Sequence, residues 1–463
     1  MSDAYRVHHD ACPSNGSGRY DVTVYESPRL GERCERVCLD NGMTVLLVPK
    51  QMTQCYAMLV IRYGAQDTAY LRDGLRVTLP EGVAHFLEHK LFARPDGTDA
   101  NEHFSAVGAE SNAWTTYDKT AYLFSTTEAP DKALAVLLDF VLTPYFTPEN
   151  VAHERGIIRE EIRMGEDNPW QTLSDKTMQA MYAHHPLRTR ICGSVESIED
   201  IDEKALYEAY RTFYRPEYMT LVVCGDMTMT RVLDAITPVL AAHPSESALH
   251  CVERVSEPEP PTVLATRVTD VASLSQPLFE IAIKDTVIPT APYARLRRET
   301  AMNVLSEVLF SRASRFYNEL FEAGKITPSY SYGYSTTDGA AYHALTGEAD
   351  DPEAVYAAYL ATVERARREG LDPADVERYR RVMYAGFVSE FDYPEDVADL
   401  LCEAEGNGCV LFETLRAIDE VTYEEVCALL DAFDERATVF TVLYPEESDG
   451  DDEMIEEEES CGI

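Results

Sequence analysis

The 463-residue sequence lacks any run of about 20 uninterrupted apolar residues, the length that a membrane-spanning helix needs. Its first residues, MSDAYRVHHDACPSNGSG, also lack the apolar stretch behind a basic start that marks an export signal. The expectation is a cytoplasmic protein that does not enter the membrane. Basic residues are scarce, with 40 Lys and Arg against 81 Asp and Glu, a formal charge of −41. Phosphate backbones would be repelled, so nucleic acid is excluded as an expected partner, whereas a cationic peptide would be attracted. A dense cysteine framework is absent too. The 11 cysteines, an odd number scattered from Cys12 to Cys461, fit reduced thiols in a cytosol. Cys34 and Cys38 could be half of a metal site, but no second close Cys or His pair accompanies them, and they read as unpaired thiols near a strand.

What is present is enough apolar material, 45% of residues, for two domains of about 200 residues each. The segment AAHPSESALHCVERVSEPEPPT is rich in Pro, Ser and Glu, as a linker should be. We expect an N-terminal domain over residues 1–240, a linker over 241–262, a C-terminal domain over 263–445 and an acidic, disordered tail over 446–463. Ten acids lie between Glu446 and Glu459; without them the remaining charge is about −31.

The first half alternates strand and helix patterns. GMTVLLVPK and YAMLVIRYG are apolar, β-branched runs closed by Pro or Gly and predict paired strands. LPEGVAHFLEHKLF changes to helical spacing, with Val83, Phe86, Leu87 and Leu91 on one side. SNAWTTYDKTAYLFSTT predicts a hairpin, DKALAVLLDFVL and VAHERGIIREEIRM predict helices, and FYRPEYMTLVVCGD predicts a closing strand. The second half repeats this plan. EGVAHFLEHKLF (Glu81 to Phe92) lies over ETAMNVLSEVLF (Glu299 to Phe310), and NEHFSA (Asn101 to Ala106) over NELFEA (Asn318 to Ala323). The predicted class is α+β: two homologous domains from a duplication, each a mixed, mostly antiparallel sheet packed with helices.

The repeat also separates packing from chemistry. His85 falls on Asn303, Glu88 on Ser306 and His89 on Glu307, while the apolar positions around them stay apolar. The histidines are therefore not required for this helix to fold. In His85-Phe-Leu-Glu88-His89 the two imidazoles project from one face, one turn apart, and can grip one ion. Glu88 stands close to that ion yet is free to hold a proton. Zinc needs a further ligand, and VAHERGIIREEIRM offers Glu154, Glu160 and Glu161. Glu154 and Glu161 are two turns apart on one face, and Glu160 points about 100° away from Glu161. Glu161 is assigned as the third ligand and Glu154 as a nearby supporting acid, with one Zn2+ as the cofactor.

These residues resemble the inverted zincins of the pitrilysin, insulin-degrading and mitochondrial processing peptidase group. HFLEHKLF resembles their metal helix, ERGIIREE their third-ligand helix, SNAWTTYDKTAY their active-site edge strand, HHPLRTRICGSVESI a conserved loop, and YRPEYMTLVVCGD the end of their first domain. The resemblance implies a zinc endopeptidase with ligands His85, His89 and Glu161 and with Glu88 as general base. It also implies that a peptide lies as an added strand along Asn112 and Ala113; an ordinary turn residue is the alternative reading of Asn112.

One part of the family pattern is missing. Active single-chain members carry an arginine and, seven residues later, a tyrosine in the C-terminal domain. Here Phe321 stands at the arginine position, and Tyr330 or Tyr332 supplies the tyrosine only after a register shift. Arg312 and Arg315 are alternative cations nearby. The pattern most resembles the zinc-bearing member of a bacterial two-subunit pair, of the kind found beside elongation factor P modification. The implied partners are a peptide substrate and a homologous subunit without the zinc motif, or a second copy of this chain. The competing expectation is a non-catalytic scaffold of the same fold.

Overall fold

In the computed structural model, residues 4–13, 19–244 and 252–446 are described. Part of the expected linker and nearly all of the expected acidic tail lie outside these residues. Strands β1 (Arg6–Pro13), β2 (Arg19–Ser27), β3 (Glu32–Cys38), β4 (Thr44–Pro49), β5 (Cys55–Ile61), β6 (Ala69–Arg72) and β7 (Leu75–Thr78) come first. Then follow β8 (Ala109–Thr115), β9 (Thr120–Thr126), β10 (Met219–Gly225) and β11 (Val252–Arg254). The second half supplies β12 (Arg267–Ala272), β13 (Leu278–Lys284), β14 (Ser331–Thr337), β15 (Ala340–Glu348) and β16 (Thr438–Pro445).

The first half contains helices α1 (Val83–Leu91), α2 (Ala100–Ser105), α3 (Pro130–Val141), α4 (Pro148–Glu166), α5 (Pro169–Met181), α6 (Val195–Glu199), α7 (Glu203–Phe213) and α8 (Met229–Ala242). The second contains α9 (Pro292–Phe310), α10 (Arg315–Glu322), α11 (Pro352–Glu369), α12 (Pro373–Ser389), α13 (Pro394–Gly406), α14 (Glu413–Glu420) and α15 (Tyr423–Ala428).

The duplication is visible in strand order. The first sheet runs β1-β2-β3-β4-β10-β5-β9-β8, and the second runs β12-β16-β13-β15-β14. In each, one pair is parallel, β4 with β10 and β12 with β16. The other neighbours are antiparallel. Removing β1 to β3 from the first sheet leaves the order of the second. The structure therefore has the expected class, two mixed and mostly antiparallel sheets, each packed with helices; the remaining described strands form a small antiparallel sheet, β11-β6-β7.

Both central strands, CYAMLVI in β5 and LFEIAIK in β13, are buried along their whole length. A strand exposes alternate side chains on opposite faces, so complete burial requires a cover on each side. The halves exchange helices to provide it. Helix α13 lays Val397, Ala398 and Leu401 against Leu46, Met58 and Val222 of the first sheet. Helix α5 lays Leu173 against Leu278 and Leu443, and Met178 and Met181 against Ala282 and Val439, all of the second. Each such large aliphatic side chain, fully buried, is worth about 1.5–3 kcal/mol. The two halves thus complete each other's cores.

One polar group sits inside the exchanged interface. Glu280 of β13 is buried beside Thr177 of α5, and its burial pushes the carboxyl up to about 7. Farther along, Glu259 accepts hydrogen bonds from the backbone N–H groups of Ala183, His184 and His185 and from Lys284 Nζ. This carboxylate fastens the chain after β11 to the end of α5.

Candidate metal centre

Helix α1 enters from Gly82, whose φ of 89° is in the left-handed region that glycine adopts readily. A Cβ there would meet the Cys192 carbonyl oxygen at 2.4 Å, so the start of α1 is seated directly on the loop around Cys192. Phe86, Leu87 and Leu91 anchor the other side in the core. That leaves His85 and His89 facing α4, with ring centroids 4.6 Å apart. Helix α4 begins with Pro148 at its first turn and a reciprocal cap between Thr147 and Asn150, and Val151, Ile158 and Ile162 are buried. Glu154 and Glu161 are thereby turned toward α1.

Nε2 of His85 is 3.4 Å from Glu161 Oε1, and Nε2 of His89 is 3.6 Å from Glu161 Oε2. His85, His89 and Glu161 each offer a ligand atom, all within 4.8 Å of one another, and no other group of three or more such residues occurs among the described residues. Two imidazoles and a carboxylate with convergent donor atoms fit one tetrahedral cation with a position left open. Glu154 supports the set: its Oε1 lies 3.2 Å from His89 Nδ1, and its Oε2 accepts from Lys90 Nζ at 3.1 Å. That contact turns Nε2 of His89 toward Glu161, the usual role of a carboxylate behind a metal-bound histidine. Nδ1 of His85 is buried without a hydrogen-bond partner, so the two rings are not held alike.

Charge is tightly balanced. Hydrogen bonding to His85 holds Glu161 below the usual carboxylate range against its burial. Burial pulls the His89 imidazole down, but the hydrogen bond to Glu154 and the charges of Glu88, Glu161 and Glu154 outweigh it and raise its affinity for a proton. Burial pushes Glu154 up, and its bonds to His89 and Lys90 outweigh that and keep it ionised.

Glu88 stands beside the ligands with 8% of its surface exposed, and the Thr115 hydroxyl donates to its Oε2 at 2.6 Å. The cavity here has a volume of about 770 Å³ and is lined by His85, Glu88, His89, Asn112, Ala113, Thr115, Tyr117, Glu161, Arg190 and Cys192, among others. Asn112 and Ala113 lie on β8, which ends the sheet and pairs only with β9 among the described strands. Its other edge offers backbone donors and acceptors to an added strand.

Tyr330 is not brought to this cavity. It is buried in the second half's core, and its hydroxyl donates to the Phe310 carbonyl at 3.1 Å. Tyrosine spacing alone points to it in the sequence, where an engaged hydroxyl leaves no mark. Phe321 stacks on Tyr317, Arg312 donates to the Pro328 carbonyl, and Arg315 pairs with Glu319. Cys34 is buried, and neither it nor Cys38 joins a metal cluster. Thr115, Arg190 and Cys192 were not singled out from sequence. A Thr two places after Ala113 in an alternating strand shares its face, which was the available signal for Thr115.

Known proteins resemble this chain over most of its length. The protein named "Uncharacterized zinc protease YmfH" from Bacillus subtilis (strain 168) is 31% identical over 408 residues, spanning 88% of this chain and 95% of its own. The chain belongs to peptidase family M16. The family's insulinase domain matches residues 47–194, and the domain described as "Peptidase M16 inactive domain" matches 200–383. A putative M16-like peptidase from Alicyclobacillus acidocaldarius superposes with a TM-score of 0.87 at 30% identity, covering 91% of this chain and 99% of that one. Pitrilysin shares the fold at a TM-score of 0.71 and 16% identity, with 96% of this chain matching 46% of it. Membership in a family of zinc proteases supports a peptidase function. No helix among the described residues is long and apolar enough to cross a membrane.

Proposed function

We propose that this M16 chain is a zinc endopeptidase in which His85, His89 and Glu161 hold one zinc ion and Glu88 is the general base. The observation that carries the reading is the convergence of these three ligands, within 4.8 Å, beside a nearly buried Glu88 on one wall of a cavity bordered by an open sheet edge. Zinc bound there would supply a Lewis acid and lower the pKa of bound water toward about 7. Glu88 takes the proton released as water attacks the peptide carbonyl and delivers it to the departing amine. Backbone groups at Asn112 and Ala113 hold the peptide extended, so that its scissile bond is presented to Glu88. A peptide added along the edge of β8 must be extended, which suits short or unfolded segments better than a folded surface.

The reading extends to assembly. Tyr330 is committed to the core and Phe321 occupies the position of the family's arginine, so a donor for the substrate carbonyl has to come from elsewhere. A homologous subunit without the zinc motif would bring one, and the active form is a heterodimer of the two. The test is peptide cleavage by wild type and Glu88→Gln, alone and with a homologous subunit that lacks the zinc motif, at equal zinc content. The expected result is weak cleavage alone, strong cleavage with the partner and, for Glu88→Gln, a loss of about 10²- to 10⁴-fold in either case. Full activity of the isolated chain would refute the heterodimer. Cleavage that survives Glu88→Gln would refute the base, and a chain that binds no zinc would be the scaffold instead.

A further inference from the structure

Glu88 is carried on α1, yet the group that fixes its carboxylate is on β8. We propose that Thr115 is a positioning residue that holds the Glu88 carboxylate in one orientation and so ties the general base to the strand on which the peptide would lie; this rests on the reading of Glu88 as base. Thr115 Oγ1 donates to Glu88 Oε2 at 2.6 Å, a short bond of the kind that an ionised acceptor makes. The donor is itself well held. Thr115 is the last residue of β8 and pairs with Thr120 of β9, whose Oγ1 is 3.4 Å away and donates to the Tyr63 carbonyl at 2.9 Å. Thr120 is fully buried, and the β-branched Thr side chain has few rotamers open to it in a strand.

The placement has a consequence for the reaction. A glutamate side chain has three rotatable bonds, and a carboxylate that must accept a proton on one side and deliver it on the other loses rate when it wanders. With Oε2 occupied by Thr115, Oε1 is left to face the water and the leaving amine. Thr115 follows Ala113 by two residues and lies on the same face of β8, so a peptide that docks along this edge presses on the strand that aims the base. Asp, Asn or Lys at this position would reach differently; the short hydroxyl donates without adding charge beside the metal ligands.

The experiment compares Thr115→Val, which keeps the shape and removes the donor, with Thr115→Ser, which keeps the donor. Both are assayed for peptide cleavage in the assembly that shows it, alongside Glu88→Gln, and Thr115→Val is crystallised. Expected is a fall in kcat of about 10- to 100-fold for Thr115→Val, with KM and zinc content unchanged, and recovery to within about threefold for Thr115→Ser. Thr115→Val added to Glu88→Gln has no further effect, because the hydroxyl acts through the carboxylate. In the Thr115→Val crystal the Glu88 carboxylate leaves its position. Full kcat in Thr115→Val, equal losses in the Val and Ser variants, a change in KM or zinc content alone, or an unmoved carboxylate would each overturn the proposal. If Glu88→Gln itself cleaves normally while the Thr115→Val crystal shows a displaced carboxylate, the contact stands and the functional reading fails.

Discussion

The two halves of this chain share a strand order and differ in what they place at one equivalent spot. Counted from the proline that opens each helix, α4 and α12 run in register, so that Glu154 falls on Tyr379 and Glu161 on Gly386. Together with Asn303, Ser306 and Glu307 in place of His85, Glu88 and His89, all five of these positions are replaced in the second half. The space is used differently there. Glu307 stands beside the Tyr332 hydroxyl, and Tyr379 shares a 2.5 Å hydrogen bond with Ser311, so aromatic hydroxyls occupy the region that holds ligands in the first half. The fold needs the apolar face of α1 or α9 and tolerates either polar set. The metal centre is a property of about five side chains laid on a scaffold that exists without them.

The comparison can be broken at several points. The largest effect is expected from Glu88→Gln, which keeps the ligands and removes the base: kcat should fall by a factor of about 10² to 10⁴ in a peptide-cleavage assay. Next is the helix exchange. Leu173→Ala, which opens a cavity between α5 and the second sheet, should cost about 2–5 kcal/mol. Because each half completes the other's core, calorimetry should show one cooperative transition moving down; two separate transitions would mean that the halves fold independently.

Glu280 gives a pH test of the same interface. Its carboxyl is raised to about 7 in the folded chain against an ordinary value of 4.5, so the folded state prefers it protonated. Its contribution to stability is fully present below about pH 4.5 and is lost as pH rises through 7, an effect on the order of 3 kcal/mol. Glu280→Gln should flatten that dependence in denaturant titrations between pH 5 and about 8, and should leave the chain more stable than wild type at the alkaline end. The smallest effect sharpens the comparison most. His85→Asn, the residue that the second half carries, should change metal-free stability by less than about 1 kcal/mol in chelator, while abolishing zinc binding.

Much of this was legible in the sequence, for identifiable reasons. Apolar periodicity located β4, β5, β8, β9 and the helices α1, α3 and α4, because each buries one face or both. The repeat announced two sheets of one topology, and four-residue spacing put His85 and His89 on one face. Other features were hidden. Strands β1 to β3 carry charged, weakly alternating sequences and are held by the sheet they extend, with Arg29 and Arg36 reaching Asp419 and Glu405 of the other half. The exchange of α5 and α13 leaves no local mark, since a helix that covers a distant sheet has the same pattern as one that covers its own. The Thr115 contact was likewise invisible, because it joins residues 27 apart through a single hydroxyl.

The account stands on the claim that the first half binds one metal ion and the second binds none. Elemental analysis of purified protein, wild type beside Glu161→Ala, measures that directly. The prediction is one zinc per chain in the wild type and none in Glu161→Ala, with both proteins folded by circular dichroism. A folded wild type without stoichiometric zinc, or a Glu161→Ala variant that retains it, would contradict the account.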